Sequence, residues 1–276
     1  GYRTFTIAIA REILEHETTI DFTNPKNVDK IMMKLSKKHK LIKRPRLSVV
    51  NYYLRKLYEE DVLDFDTVYS LSRYFVSKKM RSQSGILQVT IATSGEEFSC
   101  AFDCYYCPDQ EGMPRSYVAE GPSMRRAREC NFDPILQFQN RVTAYSVNGH
   151  PPDKFEIIVI GGTWDSYDVA YQEKFVTQVY YASNTLFQPM DDRREMLSLS
   201  EEKYINQHTA LSKIIGFTIE TRPDQISPEQ IKRCLSYGVT RVQIGVQHTD
   251  NRILKKINRQ CTIEDAIDAI HLLKDG

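Results

Sequence analysis

The chain has too few cysteines for a secreted disulfide framework. Six in 276 residues, at Cys100, Cys104, Cys107, Cys130, Cys234 and Cys261, are too unevenly spaced for one. No stretch approaches the roughly eighteen consecutive apolar residues of a membrane-spanning helix, so no part reads as a membrane segment. Nor does a charged stretch followed by a short apolar one open the chain, so no secretory signal is read. The expected compartment is therefore the reducing cytoplasm, where a local cysteine cluster reads as metal-binding or catalytic. Low-complexity segments and repeats of a fixed short period are also missing. The chain opens at Gly1 rather than at a methionine and stops at "HLLKDG", directly after a helical pattern, so it reads as part of a longer protein. What remains is ordinary: 26% charged, 41% hydrophobic, formal net charge +1, enough for one large domain and a small one.

The neutral total conceals one more absence. Between Lys30 and Lys56 there is no Asp or Glu, while ten Lys/Arg occur. Ile31, Met32, Leu35, Val49, Tyr52 and Leu54 thread through this run, which predicts short amphipathic helices broken at Pro45. Asp66 is the expected cap of a further helix carrying Val68, Leu71 and Phe75 on one side. Residues 1–82 thus read as a small, all-helical, basic domain. Lys37, Lys38, Lys40, Lys43, Arg44, Arg46 and Arg81 are its candidate phosphate contacts, and Tyr52 and Tyr53 could stack on unpaired bases. A solvated basic face, or a face for an acidic partner, is the alternative.

Residues 83–276 alternate. Ile86–Ser94, Phe155–Thr163, Ile214–Thr221 and Arg241–Gln247 are short, branched apolar runs, the pattern of parallel strands buried on both faces. Helical patterns lie between them. One is capped by Ser227, with Pro228 first, Gln230 completing a capping box and Gly238 ending it. Another is capped by Thr262, with Ile263, Ala266, Ile267 and Ile270 expected on the inner face. The polar stretch from Met190 to Ala210 reads as an inserted helix or surface excursion. The fold class is α/β, a partial (β/α) barrel with four strands, incomplete at its end.

Three thiols lie in "CAFDCYYC", at Cys100, Cys104 and Cys107, directly after the first strand. Such a loop can wrap a cubane iron–sulfur cluster, and three ligands instead of four leave one iron open for chemistry. Structural zinc is the alternative, with Cys130 or His150 as the fourth ligand. Gly161, Gly162 and Thr163 end the second strand, where glycines let a ligand approach the backbone. "TIETRPD" carries Glu220, Arg222 and Asp224 off the third strand, and a Glu220–Arg222 structural pair is the bland reading. "GVQ", ending at Gln247, repeats the placement on the fourth.

The CxxxCxxC spacing resembles the radical S-adenosylmethionine (SAM) superfamily. "SYVAEGPSMRRA", "DPILQFQNRV", "DKFEIIVIGGT", "GFTIETRPDQ", "YGVTRVQIGVQ" and "INR" lie in the order and spacing of the Elongator complex protein 3 family. The resemblance runs from about Arg81 to the end, and the basic helical segment is similar to that family's RNA-binding region. It implies that Cys100, Cys104 and Cys107 hold a [4Fe–4S] cluster and that Gly161, Gly162, Thr163, Glu220, Arg222 and Gln247 surround SAM. Lys154 matches a lysine associated with acetyl-CoA, although on its own it reads as a solvated turn residue. The implied activity is radical SAM 5-carboxymethylation of the wobble uridine of tRNA, with acetyl-CoA as carbon donor. Other Elongator subunits or a second copy are the implied partners. Three features depart from the family. Cys100–Cys104 keeps the short superfamily spacing, "NRQC" (Asn258–Cys261) stands where the family has "NRGH", and the acetyltransferase-like domain after the barrel is missing. The alternatives are a tRNA-binding iron–sulfur or zinc protein without full catalytic activity and a different radical SAM RNA-modifying enzyme.

Overall fold

The computed structural model describes residues 1–96 and 100–276. It separates into two compact units, one of Gly1–Gly85 with Val142–Pro152, the other of Ile86–Arg141 with Asp153–Gly276. The first therefore takes in a segment that lies in sequence well past residue 82.

Four helices build the first unit: α1 (Tyr2–His16), α2 (Pro25–Lys38), α3 (Leu47–Glu59) and α4 (Phe65–Ser72). Their apolar stripes bring Phe5, Ile9, Ile13, Met32, Leu35, Val50, Leu54 and Leu71 into one core, joined by Phe75 from the turn after α4. Burying each such large side chain contributes roughly 1.5–3 kcal/mol. Pro45 lies between α2 and α3, as the break in the pattern predicts. The cap of α4 differs from expectation. Asp64 has the extended backbone of a capping residue and accepts from Thr67 N at 2.8 Å, whereas Asp66 lies inside the first turn. The returning segment is tied in by Ser77 N donating to Asn148 O (2.9 Å) and by Ser82 Oγ against His150 Nδ1 (2.8 Å).

The second unit runs β1 (Leu87–Ala92), α5 (Pro122–Glu129), α6 (Pro134–Val147, which passes into the first unit at Val142), β2 (Lys154–Ile160), α7 (Val169–Asn184), α8 (Leu199–His208), β3 (Lys213–Thr221), α9 (Pro228–Tyr237), β4 (Arg241–Ile244), α10 (Asn251–Lys256) and α11 (Ile263–Asp275). All four strands are parallel and stand in sequence order. An order without reversal is an arc of a (β/α) barrel, since a doubly wound sheet reverses at its switch point. Val89, Ile157 and Phe217 align across the first three strands and are fully buried. Burial on both faces is met only in part, because Ile158 and Ile160 are half-buried and no residue of β4 is fully buried.

Local details refine other expectations. The strands β2 and β4 stop three residues early, where Gly161 (φ +144°), Gly162 (φ +89°) and Gln247 (φ +70°) leave extended geometry. Ser227 accepts from Gln230 N (3.2 Å), but the Gln230 side chain turns to Arg233 and Cys234, so no reciprocal capping box closes. Gly238 ends α9 in the left-handed region at φ +82°. Thr262 and Asp265 do form a capping box. In α11 the buried stripe runs through Ala266 and Ala269, while Ile267 and Ile270 are exposed. The helix packs against the turn at Pro223–Gln225.

The insert before β3 is a helix anchored by a buried charge. Glu202 is fully buried and accepts from Arg194 Nη1 (2.6 Å), Arg194 Nη2 (2.7 Å), Asn184 Nδ2 (2.7 Å) and Leu197 N (3.0 Å). Burial works against its charge, yet Arg194 and these donors hold its carboxyl below the ordinary value. Glu202→Ala is expected to cost about 3 kcal/mol in urea unfolding, because it strands Arg194. Asp64→Ala should cost about 1 kcal/mol and Asp66→Ala only a few tenths. The Glu202 contribution is present above the ordinary glutamate range and should fade as pH falls through the lower folded value.

Candidate cluster and cofactor site

Parallel strands present their carboxyl ends on one rim, and every site-bearing segment of the second unit follows a strand there. Gly161 is required by packing: a Cβ at that position would lie 1.7 Å from Thr93 Oγ1, at a φ that other residues avoid. Thr93 Oγ1 in turn meets Tyr167 OH at 2.6 Å, so the ends of β1 and β2 interlock.

These segments enclose an open cleft of ≈ 220 Å³. Cys100, Cys104 and Cys107 line it together with Gly162, Thr163, Glu220, Arg222, Gln247 and Arg259. Cys104 is buried and its two companions are half-buried. Burial, and after it the neighbouring Cys104 and Cys100, push the Cys107 thiol up, so the three sulfurs share one electrostatic environment. The loop is pinned by Tyr105 N donating to Ile257 O (3.1 Å), by Asn258 Nδ2 donating to Asp103 O (2.6 Å), and by an Arg115–Asp103 ion pair.

Among the described residues no three ligating side chains meet at one point. The donor set nevertheless fits a three-cysteine cubane. Cys104 Sγ accepts from Arg222 Nη1 (3.6 Å) and Arg259 Nη1 (3.9 Å) and faces Arg259 O at 3.9 Å, so two guanidiniums stand beside the buried sulfur of the loop. Neither residue expected as the fourth ligand of a zinc site lines the cleft. Cys130 does not line it, and His150 meets Ser82 within the first unit.

The Glu220–Arg222 pair is not formed. Glu220 Oε1 accepts from Gly161 N (2.8 Å), Gly162 N (2.7 Å) and Tyr117 OH (2.6 Å). Arg222 pairs instead with Asp224 through two bonds (2.9 and 3.0 Å) and lies 3.5 Å from the centre of the Phe102 ring. Between them Thr221 points to the other face and donates to Asp165 Oδ2 (2.6 Å). Burial raises the Asp165 carboxyl, and burial with Glu220 beside it raises the Tyr117 phenol, which thus stays a donor.

Other expected residues lie elsewhere. Lys154 is exposed at the first position of β2, the opposite end of that strand from Gly161, and does not line the cleft. Lys37, Lys38, Lys40, Lys43, Arg44 and Arg46 are exposed in the first unit, as is Arg81. Lys34 is held by Glu12 (2.6 Å) and Arg44 by Asp29 (3.0 Å). Sequence reasoning missed Tyr117, Phe102 and Arg259 as site residues. Tyr117 and Arg259 stood inside the quoted segments "SYVAEGPSMRRA" and "INR", and Phe102 inside the cysteine loop itself, but nothing local marked their partners.

The profile of the Radical SAM superfamily matches residues 98–276. The chain is 36% identical over 200 residues to a Dehalococcoides mccartyi protein named tRNA uridine(34) acetyltransferase, covering 72% of this chain and 41% of that one. It is 30% identical over 270 residues to Elongator complex protein 3 of Schizosaccharomyces pombe, covering 90% and 44%. It thus spans less than half the length of these curated relatives. An archaeal structure, Methanocaldococcus infernus Elp3 with an N-terminal deletion, aligns at a TM-score of 0.51 and 32% identity, covering 67% of this chain and 34% of that one.

Gly161→Ala tests the rim directly. Clash and backbone strain together should cost about 1–3 kcal/mol, read as a lowered melting temperature. Gly85→Ala, also at positive φ but with nothing within 4 Å, should show only the smaller strain cost.

Proposed function

The chain belongs to the radical SAM superfamily, and from that premise we propose that it is a tRNA-modifying enzyme working at the Cys100–Cys104–Cys107 cleft. One observation carries the reading: three thiols of one loop open onto the same cleft as Gly162, Thr163, Glu220 and Gln247. Cys100, Cys104 and Cys107 would hold a [4Fe–4S] cluster, which with SAM supplies one-electron cleavage of the sulfonium.

The chain's own residues bind and orient. Glu220 has one carboxylate oxygen occupied by three donors, which fixes the side chain and would leave the other to accept from the ammonium of SAM. The Gly162–Thr163 backbone admits the ligand closely, and Gln247 offers an amide from the adjoining strand end. Phe102 and Arg222, stacked on each other, form an apolar-and-cationic wall beside Cys104.

The substrate reading is wobble uridine of tRNA, with 5-carboxymethylation from acetyl-CoA as the reaction. It is supported by the names of the relatives and by the basic run of the first unit. Lys154, outside the cleft, is assigned no catalytic part. Elongator subunits or a second copy are the partners this reading suggests.

Anaerobically reconstituted protein should form 5′-deoxyadenosine and methionine from SAM when dithionite is added, and Cys104→Ala should fall to background. Iron-replete protein that cleaves no more SAM than the variant would overturn the proposal. For the first unit, changing Lys37, Lys38, Lys40 and Lys43 together to Glu should weaken tRNA binding at least tenfold at low salt and flatten its salt dependence, as filter binding would show. Unchanged affinity would remove the tRNA contact from that face.

A further inference from the structure

Arg259 is nine-tenths buried and more, at 4% exposure, and it has no carboxylate partner among the described residues. Its Nη2 donates to Gly245 O (2.5 Å), its Nη1 to Cys104 Sγ (3.9 Å), and its Nε is buried without a partner. The backbone is bent to deliver it there: Asn258 (φ +53°) and Gln260 (φ +56°) on either side both sit in the left-handed region. Arg222, equally buried at 3%, reaches the same sulfur at 3.6 Å, but Asp224 neutralises it through two hydrogen bonds. The two arginines are themselves linked, Arg222 Nη2 donating to Arg259 O at 2.8 Å.

A buried cation without an anion is costly, so Arg259 favours a ligand that brings negative charge to the cleft beside it. We propose that Arg259, backed by Arg222, is a positioning residue that clamps the Cys104 sulfur and makes the cluster bound there easier to reduce. The inference rests on the reading that Cys100, Cys104 and Cys107 hold a cluster. On reduction one electron would pass to that cluster from a low-potential one-electron donor such as dithionite, with no bond made or broken, and the added negative charge would be met by a guanidinium already in place. Hydrogen bonds to cluster sulfur and local positive charge both favour the reduced form. Asp224 sets the strength of the clamp, since it offsets the charge of Arg222 alone.

The test is a redox titration of the reconstituted protein, followed by absorbance and electron paramagnetic resonance after iron content is measured. Arg259→Gln should lower the midpoint potential, and Arg259→Lys, which keeps the charge and loses the fork, should lie between it and wild type. Asp224→Asn should move the potential the opposite way. Opposite shifts in iron-replete variants support the clamp. Equal midpoints in all of them overturn it, and if one variant cannot be loaded the other decides by the same criterion. Wild-type protein that takes up no iron would instead overturn the cluster reading beneath it.

Discussion

A partly buried carboxylate at the end of an apolar strand must find donors, and Glu220 finds three on a single oxygen. Those donors come from the Gly161–Gly162 turn after β2 and from Tyr117 ahead of α5, so one atom ties the ends of two strands to the segment that follows the cysteine loop. Strand alternation then decides the rest. Thr221 turns away to Asp165, and Arg222 returns to the Glu220 side, where Phe102, Asp224 and Cys104 receive it. Lengthening this stretch by one residue would send the guanidinium to the wrong face and leave Cys104 with Arg259 alone.

The rim therefore couples the ends of β2, β3 and β4 through charged side chains as well as through the sheet ladder. Cys104 sits between guanidiniums arriving from β3 and from the turn after α10. Gly245, at the end of β4, is held by the second of these. Disturbing one strand end should thus be felt at the thiols, which local flexibility in a loop alone would not bring about.

Much of this was legible from residues. Branched apolar runs marked four parallel strands, and the spacing of Cys100, Cys104 and Cys107 placed the thiols on one loop. Thr262 and Gly238 announced the ends of their helices because capping is local chemistry. Pairings over long sequence separations were not legible. Glu220 and Arg222 look like partners two residues apart, yet one is claimed by backbone N–H groups some sixty residues upstream and the other by Asp224 and a distant thiol. Similarly, periodicity cannot tell which arc of an apolar helix faces inward, and α11 turns its alanines in and Ile267 and Ile270 out.

The account stands or falls on what three thiols without a fourth ligand hold. The most direct measurement is iron, acid-labile sulfide and zinc per chain in anaerobically prepared protein, read beside the visible absorbance. Four irons and four sulfides per chain, with a broad band that bleaches on dithionite, are the predicted result. One zinc per chain without iron would contradict it.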